Sequence, residues 1–217
     1  MEGEVLSLRV CEVFHSLQGE GLTTGERTAF VRLSGCPLRC HYCDTTYAFA
    51  GGERISIKTI LARVAAYQVR YVCVTGGEPL AQSACPDLLA ALCDAGYAVS
   101  LETSGALDIG VVDPRVVKVV DIKTPGSGES HRWCESNLAH LRRLDQVKLV
   151  ICDEADYAWA AAQVAQHRLD QVCVVLFSAA AGRLSPAVLG EWILRDRLPV
   201  RLQVQLHRLL WGEARGK

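Results

Sequence analysis

Six short apolar runs limit what this chain can fold into. They cover residues 28–33, 71–75, 98–102, 116–122, 147–152 and 172–177, and each stops at a glycine or a polar turn. They lack the in-and-out alternation of a strand with one wet face. Continuous runs of this kind belong to strands covered on both sides, hence to a parallel sheet under helices. The intervening segments supply the helices. Residues 55–69 carry apolar positions at Ile57, Ile60, Leu61, Val64 and Ala65, and Leu88, Leu89 and Leu92 repeat the pattern before Gly96. An alanine-rich helix is expected from Glu154, and another carries Leu189, Ile193 and Leu194. Strand and helix thus alternate about six times, and right-handed crossovers would curl such units into a partial, incomplete TIM-like barrel with helices outside. An extended segment at 5–16 precedes them. No linker, low-complexity stretch or internal repeat divides the chain, so one α/β domain over residues 1–217 is expected.

Composition narrows the class. With 217 residues there is ample material for a core, and a formal charge of −1 gives no broad field for DNA, RNA or an anionic membrane. No apolar run is long enough to span a bilayer and no basic-then-apolar leader opens the chain, which together predict a cytoplasmic protein. Of ten cysteines, Cys11, Cys73, Cys85, Cys93, Cys134, Cys152 and Cys173 are scattered through apolar or helical contexts and read as reduced small hydrophobes. Cys36, Cys40 and Cys43 differ. They are spaced x3 then x2 in a loop broken by glycine and proline, directly after the strand at 28–33. Such a loop can turn three sulfurs toward one centre. Three thiolates on a four-iron cluster leave one iron open to a small molecule. The spacing alone also leaves open a zinc loop with His41 or Cys11 as fourth ligand, or three core cysteines.

The other strand ends carry residues a core would not require: Gly76-Gly77-Glu78-Pro79, Glu102-Thr103-Ser104-Gly105, Asp121-Ile122-Lys123 and Ser178. On a parallel sheet these loops converge on one rim and can line one pocket. Taken singly, each is also ordinary turn chemistry. Paired glycines let backbone approach a ligand closely, and their carbonyls can accept from an ammonium group. Asp44-Thr45 sets hard oxygens beside soft sulfurs, as a Mg2+ site would, or caps a turn. Leu17-Gln18-Gly19-Glu20-Gly21 and Arg32 offer an amide, open backbone and a cation, which suits a planar heterocycle bearing a carboxylate.

The cysteine spacing with Gly-Gly-Glu-Pro resembles the radical S-adenosylmethionine (SAM) enzymes. With Phe14 to Gly21, Cys43-Asp44-Thr45, Leu101 to Gly105 and Gln205-Leu206-His207 in this order, most of the chain resembles the 7-carboxy-7-deazaguanine synthase family. The resemblance implies that Cys36, Cys40 and Cys43 hold a [4Fe-4S] cluster whose open iron chelates SAM. One electron from a reduced flavodoxin or ferredoxin would cleave SAM to a 5′-deoxyadenosyl radical. That radical would take hydrogen from C6 of 6-carboxy-5,6,7,8-tetrahydropterin, and ring contraction with loss of ammonia would give 7-carboxy-7-deazaguanine, a step toward queuosine. It further implies Mg2+ on Thr45, substrate contacts from Leu17, Gln18, Gly19, Arg32 and Thr75, and a homodimer. SAM contacts would come from Tyr42, Cys43, Asp44, Gly77, Glu102, Asp121, Ile122 and Lys123. Two loops depart from the family pattern: Asp121-Ile122-Lys123 stands where relatives carry Ser-Pro-Lys, and no Pro and His follow Ser178. An activase that makes a glycyl radical on a partner protein shares the cysteines and glycines but has no use for Leu-Gln-Gly-Glu-Gly. A non-catalytic metal-binding protein is the remaining alternative.

Overall fold

A computed structural model describes residues 6–217. The expected extended segment at 5–16 is β1 (Ser7–Leu17), with residue 5 outside the described residues. It runs antiparallel to β2 (Arg27–Leu33) on one side and to β3 (Glu53–Ser56) on the other. From β2 the sheet continues parallel through β4 (Tyr71–Gly76), β5 (Ala98–Thr103), β6 (Val117–Asp121), β7 (Gln146–Ile151), β8 (Val174–Ala179) and β9 (Arg201–Gln203). The order is β3-β1-β2-β4-β5-β6-β7-β8-β9, and the two ends do not pair. The six expected parallel strands are therefore present in an open, partial barrel. β3 and β9 extend it beyond what periodicity revealed. β3 reads Glu-Arg-Ile-Ser with only Ile55 buried, and β9 has three residues, too few for a period to register.

The helices are α1 (Ile57–Ala65), α2 (Cys85–Asp94), α3 (Glu154–His167), α4 (Leu169–Val172), α5 (Pro186–Asp196) and α6 (Leu206–Trp211). Their starts follow local chemistry: Ser56, Asp153 and Ser185 each accept a first-turn backbone N–H through the side chain. Regular alternation of strand and helix fails in the middle of the sheet. Between β5 and β6, and again between β6 and β7, the described chain makes turns and short 3-10 segments (Pro125–Ser127, Ser130–Arg132, Glu135–His140) but no α-helix. Gly105, Gly110, Pro114, Pro125, Gly126 and Gly128 interrupt these stretches, and no helical run survives between them.

Every strand has two unlike faces. Val31, Leu33, Val74 and Leu101 pack outward with Leu88 and Leu89 of α2, and Val120, Leu149 and Phe177 pack with Val164 of α3 and Leu189 of α5. The alternate positions, Phe30, Arg32, Thr75, Glu102, Asp121, Lys148 and Ser178, face the barrel interior. The interior grows polar toward the strands' C-terminal ends, where polar loops rather than helices meet.

The other seven cysteines are all free thiols; Cys73, Cys85, Cys152 and Cys173 are buried and the remaining three partly so. A buried ion pair lies outside the cavity. The Lys118 ammonium sits 2.9 Å from Asp145 Oδ2, and both side chains are 3% exposed or less. Asp145 also accepts from the Lys118 and Arg142 amides at 2.8 and 2.9 Å, tying the start of β6 to the turn before β7. Replacing Asp145 with Ala strands the ammonium in the core and should cost about 3–5 kcal/mol, read as a lowered urea midpoint at unchanged slope.

Candidate active site

A cavity of about 630 Å³ opens at the C-terminal ends of the parallel strands. The cysteine loop forms one wall, and Cys36, Cys40 and Cys43 all reach it, with Tyr42, Asp44 and Thr45. Within the loop, Arg39 donates through its guanidinium to the Cys36 and Leu38 carbonyls at 2.8 and 2.7 Å, and backbone contacts hold the loop from outside. Gly77 donates to the Leu33 carbonyl at 3.1 Å and Glu78 donates to the Gly35 carbonyl at 2.7 Å. A Cβ on Gly76 would fall on the Leu33 carbonyl and one on Gly77 on that of Gly35, so glycine is required at both. Glu78 itself is fully buried and touches no cavity. Its carboxylate accepts from the Leu80 amide, from the Thr103 hydroxyl at 2.9 Å and from the Ser104 amide at 2.7 Å. It is a strut between the β4 and β5 loops. The Gly-Gly-Glu-Pro stretch therefore divides its work, the glycines facing the site and the glutamate bracing it.

The opposite wall is the turn between β1 and β2. Leu17, Gln18 and Gly19 line the cavity with Arg32 and Thr75. Arg32 donates through Nε to Glu12 at 2.7 Å and lies over the Phe14 and Tyr47 rings at 5.6 and 5.8 Å. Among the described residues nothing accepts from its two terminal nitrogens, which leaves a bidentate fork for a carboxylate. Phe14 and Phe30 stack beside it, ring centroids 4.8 Å apart. Thr75 donates its hydroxyl to Glu102 at 2.8 Å, so each orients the other.

The floor is charged. Asp121 Oδ2 is 3.0 Å from Lys123 and 3.2 Å from Lys148, and Lys148 lies 2.7 Å from Glu20. Glu20 also accepts from Gln203 at 3.0 Å and Gln205 at 2.7 Å. Burial opposes the charge on Lys148, but Glu20 and Asp121 outweigh it and hold the ammonium well above its ordinary value. Burial likewise works against ionised Glu20, and Lys148 keeps it below the usual carboxylate range. Lys148 and Gln203 were not singled out from sequence, and Glu20 and His207 stood within the Leu17–Gly21 and Gln205–His207 motifs without a role of their own. For Lys148 the signal was a lysine inside the apolar run of β7.

Of the expected residues only Ile122 stands apart. Its side chain packs in the core among Leu149 and Val120, while Asp121 and Lys123 on either side face the cavity. Strand alternation requires this split. Ser178, Ala179, Ala180, Ala181 and Arg183 supply the wall after β8.

The residues present fit an iron–sulfur cluster with SAM. No three His, Cys, Asp or Glu side chains among the described residues gather round a single point, as ligands of one zinc ion do. The three thiols instead share one cavity wall, as ligands to three separate irons can. Cys11 lies against the Ser34 hydroxyl, outside the cavity lining. Burial pushes the Cys40 thiol up to about 11 and raises Cys36 and Cys43 too, so these sulfurs call for a metal to ionise them. Asp121 Oδ1 and the Tyr42 hydroxyl are buried without a hydrogen-bond partner, two polar atoms that a bound ligand would satisfy.

An open parallel barrel with a three-cysteine loop at its C-terminal rim defines a radical SAM protein, and the Radical SAM superfamily profile matches residues 30–120. The 7-carboxy-7-deazaguanine synthase of Chlorobaculum tepidum is 47% identical over 96% of this chain and 97% of that protein. That of Koribacter versatilis is 39% identical over 94% and 97%. The chain belongs to the 7-carboxy-7-deazaguanine synthase family, lyases of the radical SAM superfamily. The crystal structure of QueE from Escherichia coli superposes with a TM-score of 0.77 at 24% identity, over 93% of this chain and 95% of that one, and shares the fold.

Gly77→Ala tests the backbone contact that holds the cysteine loop. The added methyl must displace the Gly35 carbonyl, an overpacking cost of about 1–3 kcal/mol. Both the iron content of reconstituted protein and SAM binding should fall, because the methyl would also press on the Cys36 side chain. Unchanged SAM affinity would mean that the loop does not depend on this approach.

Proposed function

We propose that this chain converts 6-carboxy-5,6,7,8-tetrahydropterin to 7-carboxy-7-deazaguanine and ammonia by radical ring contraction. The observation that carries the reading is the facing of two walls across one cavity: three cysteines on one side, the Arg32 fork with Gln18 and Gly19 on the other. Cys36, Cys40 and Cys43 would hold the cluster, which with SAM and one electron supplies a radical able to take hydrogen from the substrate. The Gly76-Gly77 backbone, Tyr42, Asp44, Glu102, Asp121 and Lys123 bind SAM, with Asp121 Oδ1 free to accept from its ammonium or a hydroxyl. Arg32 grips the pterin carboxylate through its terminal nitrogens, and the Phe14–Phe30 stack gives that wall an apolar surface. Gln18 and Gly19 orient the ring, and the segment from Gln205 to Arg208 narrows the mouth.

Mg2+ on Thr45 belongs to the same reading. Thr45 opens a 3-10 turn without capping it, and its hydroxyl hydrogen is directed to Asp44 Oδ1 at 2.8 Å. The oxygen lone pairs stay available for a metal whose remaining ligands are substrate oxygens and water. The reading also includes a single domain over residues 1–217, supported by the unbroken sheet, and a flavodoxin or ferredoxin as electron donor. Pairing into a homodimer is supported by exposed Leu202 and Val204 and by exposed Leu209 and Leu210 of α6. No helix among the described residues is long and apolar enough to cross a membrane, which accords with a cytoplasmic location. A glycyl-radical activase would leave the Arg32 fork without a ligand.

The reading is tested by anaerobic reconstitution and incubation with the carboxypterin, SAM and dithionite. Mass spectrometry should find 7-carboxy-7-deazaguanine and ammonia in excess over any methionine and 5′-deoxyadenosine, because the conversion is redox-neutral and the hydrogen taken from the substrate has to be returned to it; SAM cleavage without ring contraction would overturn the reading. In the same assay Arg32→Ala should lose about 1.5–3 kcal/mol in kcat/KM, mostly through KM, while slow uncoupled SAM cleavage persists. Normal turnover by that variant would remove Arg32 from the substrate site. Thr45→Ala should keep its iron but lose the response of turnover to added Mg2+. Metal-response curves that superimpose on those of the parent would rule out the ligand role.

A further inference from the structure

The contacts at Gly76 and Gly77 hold the Cys36 end of the cysteine loop, and a second buried carboxylate stands behind the other end. Asp156, in the first turn of α3, is 1% exposed and does not line the cavity. One of its oxygens accepts the Gly126 amide at 2.7 Å. The other accepts the Thr124 hydroxyl at 2.9 Å and the Cys152 amide at 3.0 Å. The Cys152 contact belongs to the start of the helix, where the Asp156 amide in turn donates to Asp153 at 2.9 Å. The other two contacts leave the helix and fasten the loop after β6. Among the described residues Gly126 has no other acceptor, and a Cβ there would fall on the Asp156 carboxylate itself.

From Gly126 the contacts lead to the cysteine loop. Ser127 is buried, and its hydroxyl donates to the Thr124 carbonyl at 2.6 Å and accepts the Glu129 amide at 3.0 Å, which ties residues 124–129 into one piece. That piece receives two donors from the cysteine loop. The His41 amide reaches the Ser127 carbonyl at 3.0 Å, and the Arg39 amide reaches the Glu129 carboxylate at 2.6 Å. These are the residues on either side of Cys40. We propose that Asp156 is a positioning residue for the cluster, fixing Cys40 through the 124–129 loop as Glu78 braces the Cys36 end. The inference rests on the reading that Cys36, Cys40 and Cys43 hold the cluster. With its anchor in α3 removed, the 124–129 loop no longer fixes the Arg39 and His41 amides, while Cys36 keeps its separate support. A cluster held by both ends of the loop then loses the set distance between its ligands, and support of this kind governs how firmly a metal site holds its metal.

Asp153 separates this role from plain helix capping. Asp153→Ala removes a capping contact of α3 and leaves those to Gly126 and Thr124 in place. Asp156→Asn keeps the size of the side chain and one acceptor oxygen. Gly126→Ala pushes the loop off an intact Asp156, should Asp156→Asn fold poorly. Reconstituted full-length protein is followed by hydrogen exchange and by iron loss to a ferrous chelator. In Asp156→Asn and Gly126→Ala the segment carrying the Arg39 and His41 amides should exchange faster, while the segment up to Cys36 exchanges as in the parent. Iron should be lost about tenfold faster than from the parent. Asp153→Ala should lower Tm but keep the parent's exchange at Arg39 and His41 and the parent's hold on iron. Iron loss from Asp153→Ala as fast as from Asp156→Asn overturns the inference, as do parent-like exchange and iron retention in both loop variants. Parent protein that takes up no iron overturns the cluster reading instead, and exchange at Arg39 and His41 in the same variants still decides the role of Asp156.

Discussion

A sheet that does not close must hold its two ends by something other than strand pairing. Here the buried carboxylate of Glu20 does it. The turn after β1 reaches across the barrel, and Glu20 takes hydrogen bonds from Lys148 on β7, Gln203 on β9 and Gln205 beyond it. Backbone follows the same path: Gly21 donates to the Gln203 side chain at 2.6 Å, and Leu206 to the Gly19 carbonyl at 3.0 Å. A desolvated carboxylate is tolerable only when it is fully met by donors. Its demand for partners brings the first turn and the last strand together, and the space left above them is the cavity.

A second fixed point sets the cysteine loop, a stretch with no regular structure of its own. Gly76 and Gly77 lie against the Leu33 and Gly35 carbonyls at a distance no Cβ allows, and Glu78 ties that contact to the end of β5. Three strand ends, β2, β4 and β5, thus form one rigid platform. The thiols are presented by backbone held from behind, which leaves their own side chains uncommitted. Precision at a metal site comes from such support more than from the ligands themselves.

Function follows from the two faces of the strands. Outward positions are apolar apart from Lys118, which is buried against Asp145, whereas inward positions change from Cys73 to Thr75 and from Val119 to Asp121 toward the rim. The same six-residue strand therefore contributes to the core and to the site. This arrangement lets the cation at Lys148, the carboxylates at Glu20 and Asp121 and the Arg32 fork stand on rigid elements, where a low-dielectric wall strengthens what they do to a ligand.

The sequence by itself determined the parallel strands, the cysteine loop and the glycines at its side, because these are local: an apolar run, a spacing, a residue without Cβ. It also determined which loops meet, since parallel strands put all their C-terminal ends on one rim. It did not reveal the absence of helices beside β6, the short edge strands β3 and β9, or the inward turn of Asp121 and Lys123 against the outward turn of Ile122. Above all it did not reveal that Glu20, Asp121 and Lys148, separated by more than twenty residues each, form one charged chain. Charge pairing of that kind depends on which strand neighbours which and on the register between β6 and β7, where Asp121 stands opposite Lys148. Those are properties of the assembled sheet, and no spacing along the chain encodes them.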